Sequence, residues 1–383
     1  MDTYSRLPVA IDRGHGCRVW DDAGREYLDM VAGIAVCNLG HTHEHVVNAL
    51  RDQAGELFHC SNLYRIKKQE TLAGLIADLS FESRAFFCNS GAEANEGAIK
   101  LVRRYCNTIS RRGPKIVTLA GSFHGRTLAT LTATGQDKVK VGFDPLPEGF
   151  LTIPYGDLDA LKEAVDDTVG AVMMEPIQGE GGVRIPPAGY VEGVRRLCDE
   201  HGLLLVFDEV QTGMARTGEM FGYMHYDVTP DIMTLAKALG NGFPVGAVVA
   251  RPEVAEAFSP GAHASTFGGN PLAMAASLAT LSVMIDEGIA NRSRETGDYL
   301  MAGLSELKRE HPSIREIRGR GLMIGVVLDG DIGSLPLDGL KKGILLNVIQ
   351  NSILRLVPPL IISRDECDEA LALIHELLKE KGL

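Results

Sequence analysis

The sequence predicts an α/β protein, a mostly parallel sheet wrapped by helices, with a smaller α+β unit assembled from both chain ends. Three observations carry this expectation. Short apolar runs alternate with helix-length amphipathic stretches through the middle of the chain, the rhythm that βαβ units leave in a sequence. Polar residues collect where the apolar runs stop. The first 45 residues and those from about Gly288 onward have a different texture, with hairpin punctuation at one end and long helical patterns at the other.

Composition bounds what such a protein can do. The 383 residues are 45% apolar and 23% charged, which excludes disorder and collagen and supports a substantial core. The length allows two or three domains. Fifty acidic residues against 38 basic ones give a net charge of −12, a surplus that repels phosphate backbones and anionic membranes, so neither nucleic acid nor membrane is expected as a partner. No stretch approaches the roughly 18 unbroken apolar residues of a spanning helix, and residues 1–16 lack a basic start followed by an apolar signal core. A cytoplasmic protein is therefore expected.

Taken in order, the first element is a hairpin around Asp21-Asp22-Ala23-Gly24. His41, His43 and His45 alternate as metal ligands on one strand face would. Thr42 and Glu44 between them suit a turn that leads into the amphipathic run from Val46 to Leu50, and the turn is the expected reading. Strands are expected at 85–88, 115–119, 170–174, 203–207, 232–235 and 246–250, with helices between several of them, notably at 93–105 and 190–201. Towards the end, long helices flank an apolar run at 321–328. Cys17, Cys37, Cys60, Cys88, Cys106, Cys198 and Cys367 form an odd, scattered set without C-x-x-C spacing. They read as reduced thiols, and no metal site is expected.

The chemistry gathers at strand ends. The apolar run 203–207 delivers Asp208, Glu209, Val210 and Gln211 to the carboxyl edge of the sheet, where ligands bind in open α/β folds. A second run, 232–235, delivers Lys237 to the same edge. A carboxylate and an amine meeting there form either a buried ion pair or a pyridoxal phosphate site, in which the lysine bonds the cofactor and the aspartate keeps the pyridine nitrogen protonated. Asn89-Ser90-Gly91-Ala92-Glu93 follows a strand and opens a helix. Ser90 there is an ordinary helix cap or part of a phosphate cradle. In Gly121-Ser122-Phe123-His124-Gly125-Arg126, Phe123 offers a face to a planar ring, and the fork of Arg126 matches a carboxylate.

Four motifs then resemble the signature series of class III aminotransferases: Pro176-Ile177-Gln178-Gly179-Glu180-Gly181-Gly182, Asp208-Glu209-Val210-Gln211-Thr212-Gly213, Leu235-Ala236-Lys237-Ala238-Leu239-Gly240 and Ser265-Thr266-Phe267-Gly268-Gly269-Asn270-Pro271. The likeness runs in order over nearly the whole chain. Within that class, Gly33-Ile34-Ala35-Val36 and Ser61-Asn62-Leu63-Tyr64, with the 89–96 segment, are most similar to the acetylornithine aminotransferases of arginine biosynthesis. The resemblance implies a fold-type I transferase dependent on pyridoxal 5′-phosphate, with a seven-stranded-type sheet. A large domain is expected over 46–287 and a small one from 1–45 and 288–383.

The roles it implies follow residue by residue. Lys237 would bond the cofactor and then act as the base. Asp208 would pair with the pyridine nitrogen, Gln211 would lie near the 3′ oxygen, and Phe123 and Val210 would sandwich the ring, with His124 beside them. Ser90, Gly91 and Ala92 would hold the phosphate. Thr266 would reach the phosphate of a neighbouring subunit, which implies a homodimer with shared sites. Arg126 would clamp the distal carboxylate of an amino-acid substrate, Tyr64 would lie near the same group, and Glu180 with Arg355 would let one pocket take two unlike substrates. The implied reaction exchanges an amino group between N-acetylornithine and 2-oxoglutarate. Alternatives are N-succinylornithine, ornithine, 4-aminobutyrate or N-succinyl-diaminopimelate chemistry, an aminomutase of the same fold, or a cofactor-bound protein without turnover. Glu44, Ala215 and Asn241 depart from the family pattern, standing where proline, glycine and glycine are usual.

Overall fold

The structure is a computed structural model and describes residues 1–110 and 112–383. Strands β1 (Ile11–His15), β2 (Arg18–Asp21) and β3 (Glu26–Asp29) form an antiparallel meander, with the expected hairpin turn between the last two. The central strands are β4 (Arg84–Cys88), β5 (Lys115–Leu119), β6 (Phe150–Ile153), β7 (Val169–Met174), β8 (Leu204–Asp208), β9 (Ile232–Leu235) and β10 (Gly246–Ala250). The last five are β11 (Ile314–Arg320), β12 (Met323–Leu328), β13 (Ile344–Leu345), β14 (Asn347–Ile349) and β15 (Ile353–Leu356).

The central sheet has seven strands in the order β4-β10-β9-β8-β7-β5-β6. Strand β10 runs antiparallel to both neighbours, and the pairs from β9 across to β6 are parallel. The parallel pairs are joined by crossovers, whereas β9 turns straight back into β10. That return places Lys237 in the connection, at the carboxyl edge of the sheet.

The buried strands carry apolar residues on both faces because both faces are covered. Ala171, Met173, Val206 and Val248 point to one side, where Ala94, Ala98, Ile99, Leu101 and Val102 of the helix Gly91–Tyr105 pack on them. Their neighbours Val172, Met174, Phe207 and Val249 point to the other, against Val191, Val194 and Leu197 of the helix Tyr190–His201 and the apolar helix Pro271–Asp286. No single helix among the described residues is long and apolar enough to cross a membrane.

The chain ends meet. Strand β13 pairs in parallel with β3, closing a sheet ordered β1-β2-β3-β13, and β11-β12-β15-β14 forms a second, antiparallel sheet. The buried guanidinium of Arg216 ties these parts together, donating to the carbonyls of Leu322 at 2.9 Å and Pro358 at 2.6 Å and to the Asn38 side chain. Burial pushes its pKa down to about 9.

The three departures from the family pattern have local accounts. Glu44 is the first residue of the helix Glu44–Glu56, where its carboxylate complements the helix dipole in place of a proline's fixed φ. Asn241 tolerates the left-handed conformation (φ 45°), and its side chain accepts from Leu39 N at 2.9 Å and donates to Gly40 O at 3.2 Å. Ala215, at φ 68°, carries the conformational cost that glycine avoids. The histidine run forms no strand: His41 bonds Asp29, and His43 stands at the N-terminal boundary of the helix that Glu44 begins, its side chain making no capping hydrogen bond.

Candidate active site

Strand ends supply the site. Beyond the carboxyl ends of β4, β5, β7, β8 and β9 lies a cavity of about 400 Å³, lined by residues that include Ser90, Gly91, Ala92, Phe123, Arg126 and Lys237. His124, Glu180, Asp208, Val210 and Gln211 line it as well. Residues far apart in sequence converge because each follows a strand that ends at one edge.

Asp208 is the last residue of β8 and is buried. Its Oδ2 accepts from Asn95 Nδ2 at 2.7 Å and from His124 Nδ1 at 2.8 Å, and its Oδ1 accepts from Val210 N at 3.1 Å. Asn95 is fixed in turn by donation from Thr234 Oγ1, and it donates to the carbonyl of His124, each at 2.7 Å. Burial works against the charged form of His124, but the Asp208 carboxylate outweighs it and the pKa of the imidazole is raised. The carboxylate is thereby held rigid by Asn95, His124 and the Val210 N–H. His124 serves the expected cofactor site through Asp208 as well as by lining the cavity.

Lys237 begins the short turn after β9 in the left-handed conformation, with φ 46°. Its amine is buried, and desolvation lowers its pKa to about 8. A neutral amine close to physiological pH is what a nucleophilic or basic lysine requires.

The helix Gly91–Tyr105 opens onto the cavity. Ser90 caps it, its hydroxyl accepting from Glu93 N at 3.2 Å, so the cap reading of Ser90 holds. The Gly91 and Ala92 N–H groups have no acceptor within their own helix and stay available to an anion. A Cβ on Gly91 would stand 2.8 Å from Val210 Cγ1, so this position has room for glycine alone. These features fit pyridoxal phosphate: an anion cradle at one end, a held carboxylate for the ring nitrogen, a buried amine, and Phe123 and Val210 to flank a planar ring.

The substrate end holds two guanidinium groups in opposite circumstances. Arg126 is exposed at the cavity with its Cζ 5.5 Å from the centroid of the Phe123 ring, and no acidic side chain among the described residues pairs with it. Arg355, on β15, is 1% exposed. It donates to Glu180, to Asn347 Oδ1 at 2.9 Å and to Gln211 Oε1 at 3.4 Å. Burial pushes the Glu180 carboxyl up, yet Arg355 prevails and its pKa is lowered, so the pair is ionised.

Tyr64 and Thr266 are not brought into this cavity. The turn that begins at Ser61 carries Tyr64 out to 69% exposure, and Thr266 is exposed beside it in a separate groove of about 910 Å³. Sequence reasoning missed Asn95, Thr234 and Glu175. Glu175 follows β7 as Asp208 ends β8, so the signal that found one carboxylate was present for the other. It accepts from Phe123 N at 3.1 Å and Gly179 N at 3.0 Å, and burial raises its pKa to about 7. Asn95 and Thr234 sit inside a helix and a strand, where nothing in the sequence separates them from ordinary polar positions.

A family model described as aminotransferase class-III matches residues 2–378. The chain is 52% identical to the acetylornithine aminotransferase of Caldanaerobacter subterraneus over 99% of its own length and 97% of that protein's. It is 47% identical to the acetylornithine aminotransferase of Methanocaldococcus jannaschii, covering 99% and 96%. Among solved structures, the ornithine aminotransferase of Toxoplasma gondii superposes with a TM-score of 0.95 at 35% identity, covering 100% of this chain and 93% of that one. The N-acetylornithine aminotransferase of Stenotrophomonas maltophilia gives 0.86 at 40% identity, covering 98% and 97%.

Proposed function

This chain belongs to the class-III aminotransferases, and from that membership we propose that it exchanges an amino group between N-acetylornithine and 2-oxoglutarate. The products are N-acetylglutamate 5-semialdehyde and glutamate, in a step of arginine biosynthesis. Bound pyridoxal 5′-phosphate supplies the electron sink that lets the amino group change carbons. The backbone at Gly91 and Ala92 would hold its phosphate, Asp208 would pair with the ring nitrogen, Phe123 and Val210 would flank the ring, and Gln211 would lie near the 3′ oxygen. Lys237 would hold the cofactor covalently, and its amine, with a pKa lowered to about 8, is suited to hold and move the proton of the reacting carbon.

The observation that carries the substrate assignment is the contrast between the two guanidinium groups. Both substrates present a carboxylate far from the reacting amine, and Arg126 is the open clamp for it. They differ at the reacting carbon: glutamate carries a second carboxylate there, whereas the δ-carbon of N-acetylornithine carries none. A bare buried Arg355 would be left unpaired by the second substrate. Glu180 neutralises it for that substrate and swings away for glutamate, so one pocket serves both half-reactions.

Thr266 and Tyr64 serve the site of a second copy in a homodimer. Their exposure in a groove apart from this chain's own cavity supports that reading. The likeness to ornithine aminotransferases makes ornithine the first competing amine. Turnover with N-acetylornithine, N-succinylornithine, ornithine, 4-aminobutyrate and N-succinyl-diaminopimelate, each with and without 2-oxoglutarate, tests the assignment. The expected outcome is the highest kcat/KM for N-acetylornithine and an absolute need for the oxoacid. A higher kcat/KM for any other amine overturns the substrate, and turnover without oxoacid points to an aminomutase.

A further inference from the structure

Five of the seven thiols are buried, and burial raises their pKa: to about 12 for Cys88, Cys198 and Cys367, and upward for Cys17 and Cys106. Cys37 and Cys60 are half-buried. Cys37 follows Val36, which lines the catalytic cavity, and its Sγ lies 3.8 Å from where a Cβ would stand on Gly242, another lining residue.

The imidazole of His41 lies beside Cys37, close enough for the sulfur to raise its pKa. His41 Nε2 is 2.7 Å from Asp29 Oδ2. Asp29 is itself immobilised, because its Oδ1 accepts from Val31 N at 2.8 Å and Ala32 N at 2.9 Å. The ring is wedged as well: a Cβ on Gly14 would come within 2.7 Å of His41 Cγ. The hydrogen bond to Asp29 and then the Cys37 sulfur raise the His41 pKa to about 10, so the imidazole is a fixed cation at neutral pH. The buried guanidinium of Arg216 lies close enough to feel both Asp29 and Cys37. A cysteine set against an oriented imidazolium, half open to solvent, is the environment of a nucleophilic thiol. Nothing in the proposed amino transfer uses it.

We propose that Asp29, His41 and Cys37 form a thiol-modification site at the rim of the catalytic cavity, which takes up a low-molecular-weight disulfide and obstructs substrate entry. The Cys37 sulfur attacks one sulfur of the disulfide, the external S–S bond breaks, a Cys37–S–S bond forms, and the other half leaves as a thiol. Cys37 is oxidised and the departing sulfur reduced. An added thiol reverses both changes. The adduct grows from Sγ beside Val36 and Gly242 and narrows the cavity there.

The test exposes the cofactor-loaded protein to 2-hydroxyethyl disulfide at neutral pH, maps the adduct by mass spectrometry and follows turnover. The expected result is one adduct per chain, on Cys37, appearing in step with loss of turnover and reversed by dithiothreitol. Cys37→Ser keeps its turnover and resists the reagent. His41→Gln keeps its turnover and takes up the label about tenfold more slowly or worse. Labelling of Cys60 or a buried cysteine in preference to Cys37, full turnover after Cys37 is labelled, or unchanged labelling in a folded His41→Gln variant overturns the proposal. Should His41→Gln not fold, the comparison of wild type with Cys37→Ser still decides. The turnover readout rests on the proposed amino transfer, whereas the position of the adduct does not, so the two readings fail separately.

Discussion

Lys237 occupies a left-handed backbone position that costs a non-glycine residue about 1–3 kcal/mol. It opens the short turn 237–239 that follows β9 in the connection to β10. The strain and the buried environment act together: one aims the amine into the cavity, the other lowers its pKa to about 8. A lowered lysine pKa means that the neutral, bond-forming amine gains population as pH rises, reaches about half at pH 8 and is nearly complete by about pH 9. Uptake of pyridoxal phosphate by the apoprotein, followed by its visible colour, should therefore accelerate between pH 6.5 and 8 and level off near pH 9. A rate still climbing through pH 10 would mean that Lys237 titrates as an ordinary surface lysine.

At the scale of elements, the start of the helix Gly91–Tyr105 and the end of β8 form one unit, with Gly91 against Val210. Gly91→Ala should keep the helix, since alanine favours it, but the added methyl must displace the stiff β-branched side chain of Val210, which is proposed to flank the ring. Overpacking of this kind costs about 1–3 kcal/mol, so the melting temperature of the apoprotein should fall by a few degrees, and, because Val210 is pushed from its place, the dissociation constant for the cofactor should rise at least about tenfold, read by fluorescence titration. How far elements were legible in the sequence follows from burial. Strands β5, β9 and β10 fall on the expected residues because buried strands leave unbroken apolar runs; β4 and β7 begin one residue early, and β8 is displaced by one, so that Asp208 closes it. Strand β6 was missed because it is an edge strand with Leu151 and Thr152 facing out, and β1 because Ile11, Asp12 and Arg13 are exposed. Within the site, residues at strand ends were readable. The Asn95–Thr234 brace was not, since it exists only once a helix lies across a strand.

At the scale of the whole molecule, the site depends on parts remote in sequence. Arg355 comes from the late sheet to meet Glu180 and Gln211 beside the central one, and the proposed dimer adds Thr266 from a second copy. That sharing makes a prediction for mixtures. Lys237→Ala and Thr266→Ala homodimers should both be impaired, yet exchanging their subunits should restore activity, because each mixed dimer contains one site with its own Lys237 and a wild-type Thr266 from across the interface. Activity that stays at the average of the two parents would place Thr266 in its own chain's site. The central claim is that Glu180 masks Arg355 for one substrate and releases it for the other, and the half-reactions test it most directly. Stopped-flow bleaching of the yellow enzyme should show that Glu180→Ala slows the reaction with N-acetylornithine by at least about tenfold more than the reaction with glutamate, the scale expected for a charge left unpaired in one complex alone. Equal losses with the two amines would contradict it.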